Sequence, residues 1–122
     1  MKKSLLIIVL LFSVHVFAQK KSTDKTPKTY DLLIGTYTSG DSKGIYVYRF
    51  YTETGRLAYL NQVEGIDNPS YLCIASNNRF VYSVNEIGAD RKGSVSSFSF
   101  EPKLGAIALI NKQVSLGTGP CY

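Results

Sequence analysis

A chain of 122 residues with 44% hydrophobic and 19% charged side chains, ten Gly, nine Tyr, six Phe and no Trp has the make-up of a β-rich globular segment, not of a disordered tail, and has room for one domain or part of one. The formal charge of +5 falls to +3 once Lys2 and Lys3 are assigned to a leader, and the remaining basic residues alternate with Asp and Glu, which excludes a basic nucleic-acid groove. The sole histidine, His15, lies in that leader too, so residues 19–122 offer no imidazole to a Ser-His-Asp triad, a His-ligated zinc or a His general base.

In chain order, Met1-Lys2-Lys3 is a positive start, residues 4–17 are almost unbroken apolar sequence, and Val16-Phe17-Ala18 ends on a small residue before Gln19. This pattern predicts a signal peptide over 1–18 and export to the periplasm or beyond, because about 14 apolar residues fall short of the roughly 20 that a spanning helix needs. No cysteine follows the run to carry a lipid, so no membrane attachment is expected after cleavage. Residues 19–30 are rich in lysine and threonine without apolar periodicity and read as a flexible linker.

From Asp31 the apolar residues alternate, with Ile45, Val47 and Arg49 facing one way and Tyr46, Tyr48 and Phe50 the other, which is the period of a strand. Strands are predicted over 32–37, 45–51 and 57–63, then over 71–75, 80–85, 94–100 and 107–114. Thr52-Glu53-Thr54-Gly55, Ser76-Asn77-Asn78-Arg79 and Glu101-Pro102-Lys103-Leu104-Gly105 carry the turn chemistry between them. The segment beginning Gly44-Ile45-Tyr46 recurs at Gly93-Ser94-Val95, 49 residues on, and Asn68-Pro69-Ser70-Tyr71 recurs as Gly119-Pro120-Cys121-Tyr122, 51 residues on. A period near fifty with four short strands per copy predicts an all-β fold of β-propeller blades, each of four antiparallel strands. Residues 31–122 then hold about two blades, the first without its innermost strand, and this is expected to be the N-terminal portion of a ring whose missing blades are its necessary partners. A free-standing sandwich of similar length would not explain a repeat that restarts.

The motifs Leu33-Ile34-Gly35-Thr36-Tyr37-Thr38, Gly44-Ile45-Tyr46, Asn68-Pro69-Ser70-Tyr71-Leu72, Arg79-Phe80-Val81-Tyr82-Ser83-Val84-Asn85-Glu86, Gly93-Ser94-Val95-Ser96-Ser97-Phe98 and Gly119-Pro120-Cys121-Tyr122 resemble, in order, the first blades of the seven-bladed lactonase family. That family includes the propeller-type 6-phosphogluconolactonases. The resemblance implies a seven-bladed ring that opens a sugar lactone with water; separately, no metal or other cofactor is expected, since two cysteines without further ligands do not make a closed zinc site. One departure is Tyr122, where many relatives carry His after Gly-Pro-Cys.

Loops entering the innermost strand and loops joining the second and third strands open on the same face of a blade, because the strands run alternately up and down. Those loops gather Asp41, Asp67, Asn68, Glu86, Asp90, Arg91 and Lys92 on one rim and leave Glu53 and Glu101 on the other. Lactone opening requires a base for water and a cation or donor for the oxyanion. Glu86 is the expected base and Arg91 the expected cation, with Asn85, Tyr71, Tyr122 and Asp67 as substrate-binding residues; the bland reading of each charge is a solvated loop side chain. A small-molecule lactone is the expected partner, unphosphorylated because sugar phosphates are cytosolic while the leader directs the protein out of the cytosol. The rival class is a non-catalytic propeller serving as a binding platform at the cell envelope.

Three apparent motifs carry no chemistry. Gly35-x-x-x-x-Gly40 continues as Asp41-Ser42 where a phosphate loop needs Lys, and Asn68-Pro69-Ser70 has Pro where glycosylation forbids it. Cys73 and Cys121 belong to different blades and are expected to be small buried thiols, a disulfide in an exported chain being the alternative.

Overall fold

A computed structural model describes residues 28–87 and 92–122; the signal peptide expected over 1–18, residues 19–27 of the linker, and Asp90 and Arg91 of the rim lie outside the described residues. Alternation of apolar side chains produces seven strands, in the order expected: β1 (Thr29–Gly35), β2 (Gly44–Tyr51), β3 (Arg56–Glu64), β4 (Pro69–Ile74), β5 (Phe80–Asn85), β6 (Ser94–Glu101) and β7 (Ala106–Val114). They form two antiparallel sheets, β1-β2-β3 and β4-β5-β6-β7, so among the described residues the first has no counterpart to the innermost strand of the second. The sheets lie face to face, β1 alongside β4 and β3 alongside β7, which is the stacking of neighbouring propeller blades.

The first strand differs from the expected 32–37 at both ends. Thr29 pairs with Tyr51, and the Lys28 carbonyl accepts hydrogen bonds from the backbone N–H and the hydroxyl of Thr52 at 3.1 and 2.8 Å, so residues 29 and 30 are strand and not linker. At the other end the Thr36 hydroxyl donates to the Gly44 carbonyl at 2.6 Å and the Thr38 N–H turns to Asn68. Thr36 and Tyr37 thereby leave the ladder and enter the loop.

The core is the layer between the sheets. Ile45 and Val47 of β2, Val81 of β5, Phe98 and Phe100 of β6, Ile107 of β7 and Ile66 of the connecting loop are buried, with Leu33, Leu60, Val63 and Leu72 packed against them. Each such side chain contributes about 1.5–3 kcal/mol of apolar burial, so the seam is held chiefly by these residues. Arg49 shares the face of Ile45 and Val47, as the alternation predicts. Its Nε donates to Asp31 at 2.9 Å, and its Nη2 reaches across the seam to the Pro102 carbonyl at 2.7 Å. The paired Asp31 carboxylate, opposed by burial, raises the Arg49 guanidinium further above its ordinary value, so this clasp stays charged. Backbones also approach closely here, since a Cβ on Gly35 would stand 1.9 Å from the Pro69 carbonyl oxygen.

Both outer strands carry a bulge at the same place in the repeat. Val47 and Tyr48 oppose Asn61 and Tyr59, leaving Leu60 unpaired, and Ser97 and Phe98 oppose Asn111 and Leu109, leaving Ile110 unpaired. Leu60 packs into the seam, where Gly105 of the following β6–β7 turn makes room for it. Ile110, its counterpart fifty residues on, is exposed.

The cysteines depart from expectation, for both Cys73 and Cys121 are exposed and unpaired. Cys73 pairs with Tyr82 and alternates, with Tyr71, onto the face turned away from the first sheet, so it lies outside the seam.

Candidate functional site

Strand β5 ends at Asn85 and the chain turns into the loop carrying Glu86. The backbone fixes this loop against the links that enter successive innermost strands. Glu86 N–H donates to the Asn68 carbonyl at 3.2 Å, and Gly119 N–H donates to the Glu86 carbonyl at 3.2 Å. Asn68 itself adopts a left-handed backbone (φ 43°), which asparagine tolerates better than other residues with a side chain, and Gly119 takes the equivalent place in the next repeat with φ 61°. The Asn68 side chain then bonds both mouth loops. Its Oδ1 accepts from the Thr38 N–H at 2.9 Å and the Thr38 hydroxyl at 3.3 Å, and its Nδ2 donates to the Ile87 carbonyl at 3.0 Å.

These bonds bring Tyr37 and Glu86 together. The Tyr37 hydroxyl donates to the Glu86 carboxylate, 2.9 Å from Oε1 and 3.0 Å from Oε2. The hydrogen bond and then the charge of Glu86, with smaller contributions from burial and from Cys121, hold the phenol above the ordinary tyrosine value. It therefore stays a donor through the ordinary tyrosine range. Tyr37 is 59% exposed and Glu86 partly so, which leaves the pair open to solvent on the mouth face.

The other expected site residues separate. Asn85 is fully buried and does not reach the mouth, which corrects its assignment to substrate binding. Its Oδ1 accepts from Ser83 at 2.7 Å while its Nδ2 donates to Ser94 at 3.0 Å and Ser96 at 2.7 Å, so the amide is spent inside the seam. Asp67 binds Lys112 of the outermost strand at 3.3 Å and lines an open hollow of about 320 Å³ with Thr38, Ser42 and Lys43, a lining that does not include Glu86. Tyr71 on β4 is half exposed and Tyr122 is 91% exposed, and neither is hydrogen-bonded to Glu86. Arg91 lies outside the described residues, and Lys92 is exposed. Among the described residues no group of three or more His, Cys, Asp or Glu is arranged to hold a metal ion. Sequence reasoning missed Tyr37 and the linking role of Asn68. A signal was present, because Tyr37 and Glu86 belong to corresponding loops, after β1 and β5, in successive repeats.

Residues 31–122 match the lactonase family, described as a 7-bladed β-propeller. The chain belongs to this family. Among curated lactonase-family relatives, the 6-phosphogluconolactonase of Bacillus subtilis is 33% identical over 89 residues, 73% of this chain and 25% of the relative. The 6-phosphogluconolactonase of Formosa agariphila is 32% identical over 94 residues, 75% of this chain and 26% of the relative. Among solved structures, the periplasmic gluconolactonase of Pseudomonas aeruginosa superposes with a TM-score of 0.73 at 38% identity, covering 78% of this chain and 27% of that one. A candidate 6-phosphogluconolactonase of Bacteroides fragilis gives 0.71 at 46% identity, covering 83% and 27%. The chain thus spans about a quarter of the length of the lactonase-family proteins it matches, and the two-sheet unit is all-β and propeller-like in the family's manner.

Proposed function

We propose that this chain forms mouth-lining blades of an exported hydrolase that opens unphosphorylated sugar lactones with water. The observation that carries the reading is the family match over residues 31–122, with relatives that are themselves named for sugar-lactone hydrolysis. The geometry adds a carboxylate with the right access. Glu86 is held at the mouth and remains partly open to solvent. In this reading Glu86 takes a proton from water as the water oxygen bonds to the lactone carbonyl carbon. The resulting oxyanion is steadied by a cation, the role given to Arg91, and collapses with cleavage of the ring C–O bond. The proton passes to the departing ring oxygen, giving the open hydroxy acid. Tyr122, at the entry to the next innermost strand, offers an aromatic face to the sugar ring, whereas Tyr71 lies on the outward sheet face that a neighbouring blade would cover, and the remaining catalytic groups come from further blades of the complete protein.

Export and the lack of a phosphate on the substrate are one argument. Met1 to Ala18 has the pattern of a secretory leader, and a structural relative is named as a periplasmic gluconolactonase. The complete protein assayed on gluconolactone and on its 6-phosphate is expected to prefer the former, and strong preference for the phosphate would overturn the substrate claim. Glu86→Gln is expected to lower kcat by about 10²-fold or more. Undiminished turnover in that variant removes Glu86 as the base, and binding of lactones without any turnover in the parent protein would favour the envelope platform.

A further inference from the structure

The carboxylate proposed as the base is not left to its own conformational preferences. A glutamate on an open loop samples many rotamers, and fixing such a long side chain costs up to about 1.5–2 kcal/mol. Here a phenol from the preceding blade straddles it, 2.9 Å from one oxygen and 3.0 Å from the other. An ionised carboxylate has about four lone-pair sites, so a donor shared between its two oxygens fixes the carboxylate plane yet leaves acceptor capacity for a water. The stems of both partners are fixed by one residue. Thr38, next to Tyr37, is bonded through its N–H and hydroxyl to the Asn68 side chain, and its hydroxyl also lies 3.2 Å from the Asn68 N–H. Ile87, next to Glu86, is bonded by the Asn68 amide, and Glu86 N–H by the Asn68 carbonyl.

We propose that Tyr37, supplied across the blade seam, is the positioning residue for the Glu86 carboxylate, and that Asn68 is the fixed point from which both loops are held. The proposal rests on the reading of Glu86 as the base and adds the residues that aim it. It also makes the competence of the site depend on how two neighbouring blades are seated, since the base belongs to one blade and its guide to the other. Asn68 can be tested without disturbing the backbone, because the next repeat carries Gly119 in the same left-handed conformation.

The experiment compares Tyr37→Phe, Asn68→Gly and Glu86→Gln in the complete protein, measuring kcat and KM on gluconolactone and following the Tyr37 ring-carbon resonance in a pH titration with 13C-labelled tyrosine. Tyr37 is largely exposed, so its phenylalanine variant is expected to fold, and retained thermal stability checks that. Tyr37→Phe should lower kcat about ten-fold, the scale of one hydrogen bond to a charged group, while KM changes less than about two-fold. Asn68→Gly should lower kcat in the same sense. Glu86→Gln should move the Tyr37 titration to lower pH, a signature that a purely structural role for Tyr37 would not give. An unchanged kcat in Tyr37→Phe beside an inactive Glu86→Gln overturns the positioning role, as does a Tyr37 titration that ignores Glu86→Gln. If Glu86→Gln instead retains full turnover while the Tyr37 titration still shifts, the contact is real but the base assignment fails, and the catalytic role of Tyr37 falls with it.

Discussion

At the scale of single residues, two neighbours in sequence have opposite fates. Asn85 continues the alternation of Val81 and Ser83 into the seam, while Glu86 leaves the strand and opens on the mouth. Replacing the Asn85 amide strands the hydroxyls of Ser83, Ser94 and Ser96 in a buried layer, so Asn85→Ala should cost about 2–3 kcal/mol in urea unfolding of the complete protein. A loss under about 0.5 kcal/mol would mean that the cluster is not the closed network described. The alternation was legible, and strictly applied it would have put Asn85 inside. It was misread because Ser and Asn look like surface residues until the four polar groups on β5 and β6 are seen to satisfy one another. The phenols give a second residue-scale prediction. Tyr46 accepts a hydrogen bond from the Lys43 N–H at 2.9 Å, and bonds with Ser42 and Lys43 lower its value, whereas Glu86 raises that of Tyr37. For Tyr37 the folded value exceeds the unfolded one, so its contribution is complete below the ordinary tyrosine value and is lost as pH rises from there through the raised value. For Tyr46 the sign is reversed, and its contribution appears as pH rises into that range. Carbon-13 titration of the tyrosines should therefore find Tyr46 ionising before Tyr37, and the reverse order would contradict both sets of hydrogen bonds.

At the scale of elements, the seven strands and their order could be read from period-two alternation and turn residues, and the two bulges at Leu60 and Ile110 obey the same fifty-residue period. The ends of β1 could not, because they depend on partners distant in sequence: Thr52 captures Lys28 at one end, and Asn68 diverts Thr38 at the other. Asp67 was beyond reach for the same reason, its partner Lys112 being 45 residues away on the outermost strand of the second sheet. The contact between β1 and β4 gives a test at this scale. Gly35→Ala would drive a methyl group into the Pro69 carbonyl, and neither backbone can yield without opening the seam, so a loss of about 3 kcal/mol or more is expected. Gly40→Ala, where an added carbon meets nothing within 4 Å, should stay within about 0.5 kcal/mol. Equal effects in thermal unfolding of the two variants would refute the close approach of the blades.

At the scale of the molecule, the two sheets bury only the faces they turn to each other. The outward face of the second sheet presents Tyr71, Phe80, Tyr82 and Val95, and that of the first presents Tyr30, Leu32 and Ile34, all more than a third exposed. Apolar faces of this kind are blade seams awaiting neighbours, and exposed sheet surfaces and edges recruit other chains. Residues 28–122 produced alone should therefore bind a hydrophobic dye and self-associate in sedimentation. A monodisperse, dye-free monomer would contradict the propeller assignment of these faces. The seam that is closed carries a further lesson in the pairing of Tyr37 with Glu86. They come from corresponding loops of successive copies, after β1 and β5, yet one gives a hydrogen bond and the other receives it. Averaging the copies, as consensus repeat engineering does, would give both loops one side-chain pattern and so remove either the donor or the acceptor. The copies have thus diverged into complementary halves. Shuffling the order of blades, even with every hydrophobic contact rebuilt, would separate this donor from its acceptor.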